Sequence, residues 1–237
     1  MKYAANSKQG KRAQNEDHFF IPQRGEVSLA VVADGMGGHN AGNIASALAV
    51  ETVVSELKRG GLGTPEELIL AAMVKANDTV YEYAAQHPNC RGMGTTMVLA
   101  MPFHTRYVAA NIGDSRLYHF DGKQLVQITK DHSYVAELVE AGQITPEEAA
   151  HHPRRNIITR ALGAREVERT DLFRCEWHPG DILMLCTDGL FGALENADML
   201  RVLVEEPDLQ RACDTLVDIA LYGGSSDNVS VALIQNV

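Results

Sequence analysis

At 237 residues the chain can bury a full core, and a single domain over residues 1–237 is the expectation. Hydrophobic content of 45% with 22% charged residues is that of an ordinary globular protein. The formal net charge of −10 argues against a nucleic-acid partner, which needs a basic face.

The first residues, MKYAANSKQGKRAQNED, hold no apolar signal core, and no stretch approaches a membrane span, so a cytoplasmic location away from membranes is expected. A monomer is expected as well, though no residue pattern decides the oligomeric state. Residues 2–8 read as a strand, followed by the polar loop GKRAQNED and a short apolar piece at 18–21. An apolar run from Val27 to Ala33 predicts a buried strand that stops at Asp34, and Gly35, Gly37, Gly38 and Gly42 follow closely. A helix is predicted over 41–58, with Ile44, Ala45, Leu48, Thr52 and Val53 on its core face. Thr64-Pro65-Glu66-Glu67 is a capping box with proline at the first helical position, opening a second helix that runs to the breaker at 87–89.

From Gly94 the pattern changes to strands: 95–101, 106–112 and 116–120, with Asp121-Gly122 as a two-residue hairpin turn into 124–128. A short helix follows over 134–141, and a second capping box at Thr145-Pro146-Glu147-Glu148 opens another. The stretch HHPRRNIITRALG, residues 151–163, is irregular and basic, unlike the rest. Strands at 170–176 and 181–187, one or two helices within 196–221, and a last strand over 229–235 complete the chain. Strands in groups, interrupted by helix pairs, do not alternate βαβ. An antiparallel α+β or layered sandwich is favoured over a doubly wound sheet.

Cys90, Cys175, Cys186 and Cys213 show neither CxxC pairing nor zinc-type spacing, and Cys186 and Cys213 fall in apolar patterns suited to a buried thiol. Chemistry is concentrated instead in carboxylates. Asp34, Asp188 and Asp114 each close an apolar run, Asp227 stands just before the final strand, and Glu16-Asp17 ends the first polar loop. A carboxylate at the open end of a buried strand is costly to keep ionised alone, and a bound cation is the usual remedy. Any one of these residues could instead cap a turn, but their recurrence at the ends of the most apolar strands points to a shared site. Oxygen ligands without His or Cys indicate a hard ion, Mg²⁺ or Mn²⁺.

The ordered motifs GKRAQNED, VVADGMGGHNAG, MGTT, NIGDSRLY, TKDHS, NIITRALG, CTDGL and SDNVSV resemble the metal-dependent protein phosphatases, the type-2C serine/threonine phosphatases, in their compact bacterial form. The resemblance covers essentially the whole chain. It implies a four-layer α-β-β-α sandwich, two central antiparallel sheets flanked by helix pairs. It implies hydrolysis of phosphoserine and phosphothreonine by a metal-activated water, with Asp34 bridging two Mn²⁺ or Mg²⁺ ions. The Gly35 carbonyl would serve one ion, Asp188 and Asp227 the other, and Glu16 and Asp17 coordinated waters. Asp114 would belong to a third metal position, Arg12 would hold the substrate phosphate, and residues 131–163 would form a mobile flap. The implied partners are phosphorylated proteins, including a cognate bacterial Ser/Thr kinase of the eukaryotic-like type and its targets.

A phospho-cysteine route is disfavoured, because the residues six after each cysteine are Thr96, Asp181, Gly192 and Ile219, never the Arg of the cysteine phosphatases. One departure stands out. Animal members carry a His directly after the DG, a candidate general acid, and here that position is Met36; His39 is not assigned the role. For Asp114 two readings stay open, a third-metal ligand or a structural residue that caps the turn or pairs with Arg116. A catalytically dead phosphoprotein binder and a two-metal phosphoesterase for small molecules are the competing readings of the whole.

Overall fold

A computed structural model describes residues 1–38 and 41–237. Eleven strands form two sheets in which every described pairing is antiparallel. In chain order they are β1 (Lys2–Lys8), β2 (Asp17–Phe20), β3 (Ala30–Met36), β4 (Gly94–Thr95), β5 (Met97–Pro102), β6 (Arg106–Ile112), β7 (Arg116–Phe120), β8 (Leu125–Gln127), β9 (Asp171–Glu176), β10 (Ile182–Cys186) and β11 (Val229–Gln235). One sheet has the order β1-β11-β10-β7-β8; the other runs β2-β3-β5-β6-β9, with β4 paired to β3. Helices α1 (Ala41–Arg59) and α2 (Pro65–Gln86) cover the second sheet. Helices α6 (Asn196–Glu205) and α7 (Leu209–Tyr222) cover the first, while α3 (Tyr134–Glu140), α4 (Pro146–Ala150) and α5 (Asp188–Phe191) are short.

The period-2 alternation of the strands builds three cores. On β3, Val31 and Ala33 face the helices while Ala30 and Val32 face the opposite sheet. On β11, Val231 and Leu233 face helices while Ala232 and Ile234 point between the sheets. Trp177, Tyr107, Leu183 and Leu185 fill the middle layer. This is the expected four-layer sandwich.

Several boundaries differ from the sequence reading. β3 starts at Ala30 and continues through Asp34 to Met36, because Gly35 and Met36 pair with Thr95 and Gly94 of β4. The expected strand 95–101 is therefore split, and its two parts pair with different residues of β3. The hairpin after β7 is longer than two residues: Phe120 pairs with Leu125, and the Asp121 carboxylate accepts from the amides of Lys123 and Gln124, both at 2.9 Å. On α1 the buried line is Ala45, Ala49, Val53 and Leu57, with Ile44 and Leu48 only half-buried at its margin. All four cysteines are free thiols, three of them buried.

Candidate metal centre

Strand register brings the acidic residues to one end of the sandwich. In the first sheet Lys8 lies opposite Val229, and Cys186 lies opposite both Val231 and Arg116. The chain segments just outside those pairs carry Asp227, Asp188 and Asp114, so all three leave the sheet at the same end. In the second sheet Asp17 stands directly opposite Asp34. Thr187, beside Asp188, donates to Asp17 Oδ2 at 2.9 Å, which joins the two sheets across this end.

Glycine is required where the backbone of β3 meets α1. A Cβ on Gly35 would lie 2.0 Å from the Gly42 carbonyl oxygen, and one on Gly42 would lie 2.8 Å from Glu16 Oε1. Glu16 and the Gly35 backbone are thereby held side by side, and the Gly35 amide donates to the Glu16 carbonyl at 3.1 Å. Asp34 is held through its backbone, its amide donating to Thr96 Oγ1 at 3.0 Å and its carbonyl accepting from Thr95 Oγ1 at 2.8 Å.

Asn228 organises the loop that carries Arg12. Its Nδ2 donates to the carbonyls of Gln9 and Gln14, both at 2.8 Å, and its Oδ1 accepts from the Glu16 amide at 2.9 Å. Arg12 in turn donates through Nη2 to Asp227 Oδ2 at 2.6 Å. Ser230 adds a second donor to Asp17 Oδ2 at 2.6 Å. Asn228, Ser230 and Thr187 lie inside motifs visible in the sequence, yet nothing local assigned them these partners.

Asp114 follows Gly113, whose φ of +97° favours glycine. His132 clamps this turn: its Nδ1 accepts from the Gly113 amide at 3.1 Å and its own amide donates to the Gly113 carbonyl at 2.9 Å. No Asp114–Arg116 ion pair forms among the described residues. Arg116 is engaged by Asp131 through Nε and Nη2, at 3.0 and 2.7 Å, and its guanidinium stacks over Phe191 at 3.6 Å.

The charges here repel one another. Burial, then the fields of Asp17, Asp188, Asp114 and Asp227, push the Asp34 carboxyl well above its ordinary range. Burial pushes Asp17 up to about 7 against the lowering effect of its Ser230 and Thr187 hydrogen bonds. Asp114 rises to about 7 through burial and the Asp188 charge, and Asp188 to about 6 through burial and Asp227. Asp17 and Asp114 are buried, while Asp34 and Asp188 keep part of their surface open to solvent. Asp17 Oδ1 and Asp188 Oδ1 are buried without any hydrogen-bond partner. Such oxygens suit a hard cation. Among the described residues no group of three or more His, Cys, Asp or Glu side chains is arranged as it stands to hold a metal ion.

From Asp114 and Asp188 a cleft of about 810 Å³ runs beneath α3 and α4. Met36, at the end of β3, is half-buried and offers no titratable proton; His39 lies outside the described residues.

An α-β-β-α sandwich with an acidic, oxygen-only site at one end defines the metal-dependent phosphatase class, and residues 5–217 match the protein phosphatase 2C family. The chain belongs to that family and is a protein-serine/threonine phosphatase. It is 36% identical over 229 residues to the serine/threonine phosphatase stp of Listeria innocua, covering 94% of this chain and 91% of the relative. The crystal structure of Stp1 from Staphylococcus aureus superimposes with a TM-score of 0.91 at 37% identity, covering 99% of this chain and 94% of the other. The catalytic domain of the phosphatase PstP, solved in complex with two manganese ions, gives 0.87 at 37% identity and covers 98% and 96%.

Proposed function

We propose that the chain is a Mn²⁺- or Mg²⁺-dependent phosphatase of phosphoserine and phosphothreonine, opposing a Ser/Thr kinase of the same cell. Asp34, Asp188 and Asp227 would hold two core ions with the Gly35 carbonyl, Glu16 and Asp17 would hold their waters, and Asp114 would serve a third position. The observation that carries this reading is the pair of orphaned buried oxygens on Asp17 and Asp188, within a group of carboxylates that raise one another's pKa. Bound there, the ions would supply Lewis acidity and a water ionised near neutral pH.

The protein groups have separable tasks. Arg12 occupies Asp227 in this structure, as a cation would. With Asp227 turned to an ion, its planar guanidinium would be free to grip two phosphate oxygens, a geometry Lys does not reproduce. The Asn228 bonds hold the Arg12 loop against the site, and Thr187 and Ser230 fix the Asp17 carboxylate so that Oδ1 faces away from them. With Met36 where animal members carry His, that position supplies no proton, and the leaving alkoxide would be protonated by a metal-bound water or would need little help. Residues 131–163 act in this reading as a flap over the cleft, within one catalytic domain. Phosphate release from phosphothreonine peptide, phosphotyrosine peptide and nucleotide, with and without Mn²⁺, tests the proposal. Mn²⁺-dependent turnover selective for the phosphothreonine peptide is expected; a preference for nucleotide would overturn it.

A further inference from the structure

The cleft beside the carboxylates is built unevenly. Its acidic end holds Asp114 and Asp188. Its flap wall comes from α3 and α4, two helices that bury no residue completely, so Val135, Val139 and Ala149 remain part-open and line the cleft instead of a core. Five cationic side chains border it. Arg116 is neutralised by Asp131, Arg160 by Asp171, and Lys130 by Glu140. Arg155 and Arg169 are exposed and have no ion-pair or side-chain hydrogen-bond partner among the described residues. Away from the acidic end, Glu137 is the one lining carboxylate also lacking such a partner, so two free cations face one free anion. Arg155, from the basic stretch at 151–163, and Arg169 together thus leave one cationic charge uncompensated in this part of the cleft, in a chain whose net charge is −10.

We infer that the cleft binds the peptide flanking the phosphoresidue, and that Arg155 and Arg169 select substrates carrying an acidic group in that flank. This deepens the phosphatase reading and rests on it. The apolar wall takes side chains or backbone of an extended segment, while the two guanidinium groups pair with a carboxylate or a second phosphate. An exposed Arg gains little from one pair, but two acting on the same segment are enough to bias turnover.

The test compares kcat/KM for three phosphothreonine peptides with flanks that are neutral, glutamate-rich, or carry a second phosphate. Wild type is expected to favour the acidic peptides by about threefold to tenfold, the scale of one or two exposed ion pairs, and less at high salt. Arg155→Ala/Arg169→Ala should bring the ratio close to one, and Arg155→Glu/Arg169→Glu should invert it. Arg165→Ala removes the same charge from a residue that pairs with Glu168 and does not line the cleft, so the ratio should stay. Melting curves confirm that the variants fold. A response to the second phosphate alone would still support the arginine pair and identify phosphate as the group read. No acidic preference in wild type, a ratio unchanged by the double substitution, or an equal fall with Arg165→Ala would overturn the inference while peptide turnover persists. Absence of turnover on every peptide with Mn²⁺ present would overturn the phosphatase reading itself.

Discussion

Two buried carboxylate regions of this protein are built on opposite principles. Glu66, in the first turn of α2, is 8% exposed on its side chain, ion-paired with Arg174 at 2.7 Å, and accepts from Arg106 at 3.4 Å. Its own backbone amide and the two arginines hold it below the usual carboxylate range. Asp17, Asp34, Asp114 and Asp188 stand among each other instead, and every one is pushed upward. The first arrangement is complete as folded. The second is left uncompensated, as the proposed metal site would require.

The largest effect that could break this comparison is on turnover. Asp34→Asn should lower kcat with Mn²⁺ by more than about 1000-fold, ~4 kcal/mol of barrier, while raising the melting temperature of metal-free protein. A loss smaller than about tenfold would remove Asp34 from the chemistry. Next is Arg12, the cation that stands against Asp227. Arg12→Ala should raise KM for a phosphopeptide about 10- to 100-fold, the range of charge-assisted hydrogen bonds, and Arg12→Lys should restore part of it. An unchanged KM in steady-state kinetics would place Arg12 outside the site.

Asn228 sharpens the distinction between holding and reacting. Asn228→Ala should cost about 1–3 kcal/mol of stability in denaturant melts through the unpaired backbone groups it leaves. It should also raise KM, and combining it with Arg12→Ala should add little further, because both act through the same loop. Full additivity would mean that Asn228 supports the fold alone. Glu66→Gln is the smallest change. It should reduce stability by about 1 kcal/mol or less, since both arginines are largely exposed, and leave kcat and Mn²⁺ affinity as they were.

Much of this was legible in the sequence for reasons that can be stated. The capping boxes at Thr64 and Thr145 operate within four residues, and the structure shows both with reciprocal hydrogen bonds. Strand β11 is mostly apolar and β-branched, β6 is apolar over Tyr107–Ala110, β7 carries Leu117, Tyr118 and Phe120, and the ends of all three match the reading. The turn after β7 was a local miss, a four-residue loop closed by the Asp121 carboxylate, but most of the others depend on distant partners. Asp34 seemed to end a strand because its hydrophobic run stops there, but pairing with Gly94–Thr95 carries β3 two residues further. Asp114 looked able to pair with its neighbour Arg116 until Asp131 engaged that arginine. Asn228 bridges to Gln9, Gln14 and Glu16, contacts no local pattern encodes. The acidic residues were visible as a set because each punctuates an apolar run; their mutual repulsion needed the folded register.

The most direct measurement is thermal unfolding of the metal-free and Mn²⁺-loaded protein between pH 5 and pH 8. In the metal-free fold Asp17 and Asp114 titrate near 7 and Asp188 near 6, above their ordinary 3.8, so the folded state binds more protons than the unfolded state across that window. Their contribution is fully present below about pH 4 and is lost as pH rises through 6 to 7. The metal-free melting temperature should therefore fall by several degrees from pH 5 to pH 8, and Mn²⁺ should restore more at pH 8 than at pH 5. A metal-free melting temperature that is flat or rising over that range, with no Mn²⁺-dependent shift at pH 8, would contradict the account.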